Sequence, residues 1–159
     1  MYPFTFLLTD ILSEKYSKKE VLIVVKLGSL IAIVPTILIA GWLIAIASIT
    51  TFYIIQQLDV QIFHYFKQKM SKAWWVRNNV STISSQLFDT IMFYTLAFAI
   101  LPAIAVMLFG TSDEWFFMSS DQIIKYIIAD YSIKVILALL DTPLFYIFAI
   151  RVKSKLKQN

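Results

Sequence analysis

The hydrophobic positions of this chain do not alternate with polar ones. They run in long blocks separated by short charged or polar intervals. A membrane-crossing helix needs about 20 mainly apolar residues, and four blocks reach that length: 21–40, 42–66, 80–109 and 123–152. Residues 1–8 are also apolar but too short to cross, and they end at Thr9 and Asp10. Residues 1–13 therefore read as a half-length or re-entrant helix. The pattern predicts an all-α fold: a polytopic membrane helix bundle with four full transmembrane helices plus a short N-terminal half-span, in one integral membrane domain over 1–159.

Residues 21–55 resemble one very long helix broken by Pro35 and Gly41. At about 1.5 Å per residue it would exceed about 50 Å, more than the hydrocarbon core accepts. Charge supplies a second argument for a hairpin near Gly41. Lys15, Lys18, Lys19 and Lys26 flank the first span; Lys67, Lys69, Lys72 and Arg77 follow the second; Arg151, Lys153, Lys155 and Lys157 close the chain. The interval 111–121 carries Asp113, Glu114 and Asp121 with no base. Putting every basic cluster inside, as the positive-inside rule requires, needs that hairpin and leaves the C-terminus cytoplasmic.

Composition agrees with this picture and narrows the function. The chain is 59% hydrophobic and 15% charged, against about 45–50% and about 25% in soluble domains. The net charge of +4 sits in loop clusters, so it marks a lipid bilayer as partner and not nucleic acid. Cysteine is absent and His64 is the only histidine, so no metal site and no histidine-based catalytic triad is expected. Gly28, Gly41 and Gly110 form no phosphate-cradling loop. No catalytic residue, metal or cofactor is expected, and an embedded enzyme is the weakest reading.

The informative residues are the polar ones carried into apolar spans, where such groups are costly and mark function by default. On the third span Thr82, Ser85, Gln86 and Asp89 follow a 3–4–3 spacing, which puts them on one helix face. Asp89 lies about 13 Å along the helix from Val80, too deep to snorkel easily. On the fourth span Asp130, Lys134 and Asp141 share a face, and Asp130 at i−4 is placed to neutralise Lys134. Ser48, Thr51 and Asp59 form a weaker stripe on the second span, and Asp10 and Glu14 lie one turn apart. Turned inward, these stripes enclose a polar cavity near the bilayer midplane.

Blander readings stand beside these. Ser81, Ser84 and Ser85 suit close helix packing. Arg77, Asn78 and Asn79 suit a turn with a helix N-cap. Asp130 and Lys134 suit a structural ion pair, and Asp59 a solvated interfacial group. The aromatic residues, Trp74 and Trp75 among them, suit an interfacial belt.

Several blocks, in order, resemble the queuosine-precursor transporter family, a group of vitamin-uptake-like integral membrane proteins. They are Thr9, Asp10, Glu14 and Tyr16 with Lys18 and Lys19; Ala47 and Ser48 followed by Gln57, Leu58, Asp59, Val60 and Phe63; Trp75, Val76, Arg77 and Asn78 with Ser81, Thr82, Ser85, Gln86, Asp89 and Thr90; and Asp130, Tyr131 and Lys134 with Thr142 and Pro143. The resemblance implies an importer of 7-deazaguanines (7-cyano- and 7-aminomethyl-7-deazaguanine), precursors of a modified tRNA nucleoside, in the prokaryotic inner membrane. It implies substrate-binding roles for Asp10, Arg77, Asn78, Thr82, Ser85, Gln86, Asp89 and Asp130, with Phe88 or Tyr131 stacking on the ring. Ion coupling would fall to Asp130, Lys134 and Asp141. Family members have about six spans; by that measure this chain lacks the first helix and the outer half of the second, its link at Gly41 is short, and Ser17 stands where glycine is common. A homo-oligomer or a separate energising subunit is left open as partner. The reading from a different class is a non-transporting membrane scaffold, or a substrate-binding subunit docked on such a module.

Overall fold

In a computed structural model the structure is described for residues 2–69, 73–110 and 118–151, with side chains for 4–69, 73–110 and 118–150. Among these residues there are only helices: α1 (Tyr2–Lys15), α2 (Lys18–Ala40), α3 (Trp42–Lys69), α4 (Trp74–Thr95), α5 (Leu101–Phe109) and α6 (Ser120–Phe145). A π-helical turn, Leu96–Ile100, joins α4 to α5, and a second, Tyr146–Arg151, extends α6. Four continuous helical stretches are long and apolar enough to cross a membrane: Lys18–Ala40, Trp42–Lys69, Trp74–Phe109 and Ser120–Ile150. Lys72, expected in the cluster after the second span, and Lys153, Lys155 and Lys157 after the last fall outside the described residues, as do Asp113 and Glu114.

The breaks have local causes. Ser17 begins α2, and the Glu20 carboxylate reaches back to accept from its N–H at 2.9 Å and its hydroxyl at 2.7 Å. Ser119 caps α6: Gln122 accepts from the Ser119 N–H at 3.0 Å, and the Ser119 hydroxyl accepts from the Gln122 N–H at 3.4 Å. Between α2 and α3 stands Gly41 alone, at φ 74° and ψ 160°, a backbone state that is essentially glycine's. The two helices fold back on each other there. Val21 packs with Val60 near the open end, and Ser29 lines one groove with Ser48 and Phe52. The expected hairpin is therefore a one-residue turn.

Prolines are accommodated inside helices. Pro35 leaves α2 continuous, with Thr36 Oγ1 donating to the Ala32 carbonyl at 2.6 Å. Pro102 has a larger effect. It has no N–H, and its ring clashes with the carbonyl four residues back, which is that of Phe98. The chain widens into the π turn before it, the Leu101 N–H bonds the Leu96 carbonyl, and the Phe98 carbonyl accepts instead from Met118 N at 3.5 Å. Neither π turn was expected from the apolar pattern. The third span also begins earlier than residue 80. Its helix starts at Trp74, so Arg77, Asn78 and Asn79 lie inside the helix and not in a turn or at its cap.

Helices α2, α3, α4 and α6 pack in sequence order, each on the next, while α1 lies against α3, α6 and the second π turn. The ends carrying Lys15, Lys18, Lys19, Lys67 and Lys69 thus gather at one end of the bundle, called here the basic end. An aromatic cluster ties it together: Phe145 is fully buried, stacks on Trp74 at 6.1 Å between centroids, and meets Phe63 edge-on at 6.2 Å. Trp74 is drawn inward, while Trp75 stays exposed on the outside. Exposed apolar side chains cover the outer surface, most densely on α2, where only Val21, Val25 and Ser29 are buried.

Candidate functional site

In a membrane bundle the informative burial is polar, because lipid-facing positions are apolar in any case. The buried residues of α4 are Arg77, Asn78, Ser81, Thr82, Ser85, Gln86, Asp89 and Thr90, without one aliphatic or aromatic side chain among them. This polar face forms a seam against α1, α3 and α6, and its contacts fall into successive levels starting from the basic end.

At the first level Arg77 Nη2 donates to Glu14 Oε2 at 2.7 Å, with both side chains buried. Lys67 Nζ donates to the backbone carbonyls of Ser13 and Glu14 where α1 ends, supplying a cation to the negative end of that helix. At the second level two carboxyl groups enter the seam. Thr82 Oγ1 donates to Asp10 Oδ2 at 2.6 Å, and Ser81 Oγ donates to Asp59 Oδ1 at 2.8 Å. Asp10 and Asp59 are both fully buried. One turn further on, Gln56 accepts from Thr9 Oγ1 at 2.8 Å and donates to Thr5 Oγ1 at 3.1 Å.

Gln86 occupies the third level. It is 1% exposed, and neither Nε2 nor Oε1 of its amide has a hydrogen-bond partner. Buried polar atoms without partners are uncommon, and each costs about 1–3 kcal/mol. An amide with both atoms unused offers a donor and an acceptor side by side. Ser85 Oγ is fully buried beside Asp59, and Asn78 Oδ1 lacks a partner. The antiparallel register set by the Asp10–Thr82 bond brings the buried ring of Phe6 to the level of Gln86.

At the fourth level Lys134 on α6 reaches three partners: Asp130 Oδ2 at 2.7 Å, Asp89 Oδ2 at 2.9 Å and Thr90 Oγ1 at 3.0 Å. The i−4 pairing with Asp130 forms as the spacing predicts. Asp89 is also held by this ammonium, which answers how a carboxylate survives at that depth: it is paired.

Of the residues singled out in the sequence, Asp10, Arg77, Asn78, Thr82, Ser85, Gln86, Asp89, Asp130 and Lys134 meet along this seam. Asp141 lies two turns from Lys134 and, among the described residues, joins no ion pair. Phe88 is exposed on the opposite face of α4, beside Ser84 and Lys18 in an outer groove, so it cannot stack on anything held by Gln86. Tyr131 is half-buried, its hydroxyl donating to the Ile83 carbonyl at 3.5 Å. Asp59 is not a solvated interfacial group, and Ser81 is not merely a packing residue, since the two bond each other inside the seam. Sequence could have paired them: α3 and α4 are consecutive and antiparallel, and the two residues stand equally far from residue 70. Arg77's partner, Glu14, carries no comparable signal. The α4 side of the seam, from Arg77 to Thr90, is buried. A cavity of about 200 Å³ lies to one side of it, between α1, α2 and α3, lined by Thr5, Ser29, Thr36, Ser48 and Phe52.

Residues 35–148 match the family model described as "Putative vitamin uptake transporter". The chain is 28% identical over 172 aligned positions, covering 92% of its length and 68% of the relative's, to a Bacillus subtilis (strain 168) protein named "Probable queuosine precursor transporter". No solved structure gives a significant match.

Proposed function

The chain belongs to this family of uptake transporters, and from that premise we propose that it imports queuosine precursors, 7-cyano- and 7-aminomethyl-7-deazaguanine, across a prokaryotic cytoplasmic membrane. The name of the Bacillus subtilis relative supports the substrate class. The observation in this chain that carries the reading is the Gln86 amide, buried with its donor and acceptor both unused. The lactam edge of a deazaguanine presents a ring N–H beside a carbonyl oxygen. Gln86 Oε1 accepts from the first while Nε2 donates to the second, a two-bond fit that a purely apolar solute cannot make.

The neighbouring levels suit the rest of the molecule. Phe6 offers a ring face at the level of Gln86, and Ser85 and Thr82 supply hydroxyls below it. Asp89 accepts from the ligand's remaining N–H groups. Asp130, whose side chain is one-third exposed, is the carboxylate most accessible to the ammonium of the aminomethyl precursor. Arg77, bonded to Glu14, and the Lys134 cluster then close the seam below and above the solute, with Asn78 beside the lower closure. Such a midplane site between two closures is the arrangement alternating access requires. The basic end faces the cytoplasm in this reading, with the C-terminus on that side.

The test is uptake of labelled 7-cyano-7-deazaguanine by cells that cannot synthesise it, with and without this protein. Uptake that depends on the protein and falls with Gln86→Ala at normal protein level supports the proposal. Uptake unchanged by the protein rejects it and favours the scaffold reading.

A further inference from the structure

The solute site built around Gln86 gives no task to two fully buried carboxylates, although the family resemblance implies substrate binding for one of them, Asp10. Asp10 on α1 and Asp59 on α3 each accept one hydroxyl bond, from Thr82 and Ser81 respectively, and each keeps one oxygen, Asp10 Oδ1 and Asp59 Oδ2, without a partner. Their donors, Thr82 and Ser81, are adjacent residues of α4, so the two carboxyl groups enter the seam at the same level.

The charges around them are engaged elsewhere. From α1, Glu14 pairs with Arg77 of α4. From α3, Lys67 donates to the carbonyls of Ser13 and Glu14, and His64 lies toward Lys67, Lys18 and Glu14. On α2, Glu20 bonds Ser17 at the surface. Towards α6, Asp89 and Asp130 are held by Lys134, and Asp141 lies further along. Two carboxylates sealed from water at one level of the seam repel each other when both are charged, and a proton held between them would remove that repulsion. Two further side chains point to a proton route. Ser13 Oγ, one turn from Asp10 on the side of the basic end, is fully buried without a partner, and Ser85 Oγ is fully buried beside Asp59 on the side of Gln86. They extend the pair in both directions along the seam.

We propose that Asp10 and Asp59 form a proton-binding site, distinct from the solute site at Gln86, and that one proton held between Asp10 Oδ1 and Asp59 Oδ2 crosses with each solute. This rests on the transport reading above. With the proton bound, α1 closes on α3 and α4. When it leaves toward the basic end, the two carboxylates repel and α1 separates from α3, opening the seam on that side. One solute and one proton leave the outer solution, and one of each enters the inner one.

The experiment uses the full chain in liposomes, sodium-free, with voltage clamped by potassium and valinomycin. Exchange of labelled against unlabelled 7-cyano-7-deazaguanine is measured at equal pH, and accumulation with the interior one pH unit more alkaline. Wild type is expected to exchange and to accumulate up to about tenfold, the limit for one proton per solute at one pH unit. Asp59→Asn is expected to keep exchange and lose accumulation, with Asp59→Glu restoring it. A pH dye trapped with the wild-type protein gives a reading that needs no variant: solute entry must carry acid inward. Exchange without a response to the pH gradient overturns the proposal alone, as does accumulation driven by a sodium gradient at equal pH in a parallel run with sodium added. Absence of exchange in wild type overturns the substrate reading and the coupling with it.

Discussion

Replacing Gln86 by leucine is expected to stabilise the ligand-free protein while abolishing its response to ligand. Most core substitutions destabilise, so the sign is the informative part. Leucine is close to glutamine in volume, and Gln86 is 1% exposed, so packing is largely kept. What is lost is an amide whose two polar atoms are buried without partners. At the low end of about 1–3 kcal/mol for each such atom, relief of both amounts to about 2 kcal/mol. For a chain of this length that is an upward shift of about 4–8 °C in the unfolding midpoint. Ligand that binds only the folded state raises the midpoint of wild type, by about 2.7 kcal/mol at a hundred times its Kd. In the variant that increment vanishes, because two hydrogen bonds to the ligand are gone. The assay is thermal unfolding in detergent, wild type and variant, with and without 7-cyano-7-deazaguanine. A variant that melts below wild type without ligand, or that still rises with ligand, refutes the argument. The amide would then be bonded within the protein.

Other outcomes follow from the same geometry. Lys134→Met leaves Asp89 and Asp130 without their cation; it is expected to cost about 3–5 kcal/mol in unfolding experiments, with part regained in Lys134→Met/Asp89→Leu. Glu14→Gln and Arg77→Gln break one buried pair, so the double variant is expected to lose less than the sum of the singles, and a strictly additive thermal cycle would contradict the pairing. Gly41→Ala forces a β-carbon into a backbone state at φ 74° and ψ 160°; a loss of about 1–3 kcal/mol is expected, and an unchanged midpoint would mean that the turn relaxes.

What could be read from the sequence and what could not divide along a physical line. Span number follows from hydropathy, which is local. The stripe Thr82, Ser85, Gln86 and Asp89 follows from helical spacing, and so does the Asp130–Lys134 pair; both need only one helix. Arg77, Asn78 and Asn79 read as a turn because they are polar, yet they lie inside α4, where Arg77 is buried against Glu14, a partner distant in sequence. The bond of Lys134 to Asp89 likewise needs the register between α4 and α6. Pro102 is visible in the sequence, but its consequence depends on Met118 being near enough to take the Phe98 carbonyl. Phe88 stands off the seam because Gln86 and Asp89, its neighbours in sequence, belong to the opposite face of the same helix.

The single residue between α2 and α3 also bears on how the protein reaches its membrane. A turn consisting of Gly41 leaves no hydrophilic loop to be carried through the lipid during synthesis. The two helices can therefore enter together as a closed pair, and nothing at the turn itself selects which way that pair points. Its direction falls to the lysines at the open end, Lys18 and Lys19 on one strand of the pair and Lys67 and Lys69 on the other. Neutralising those four would leave a hairpin able to insert but without an instruction to stop on the right side.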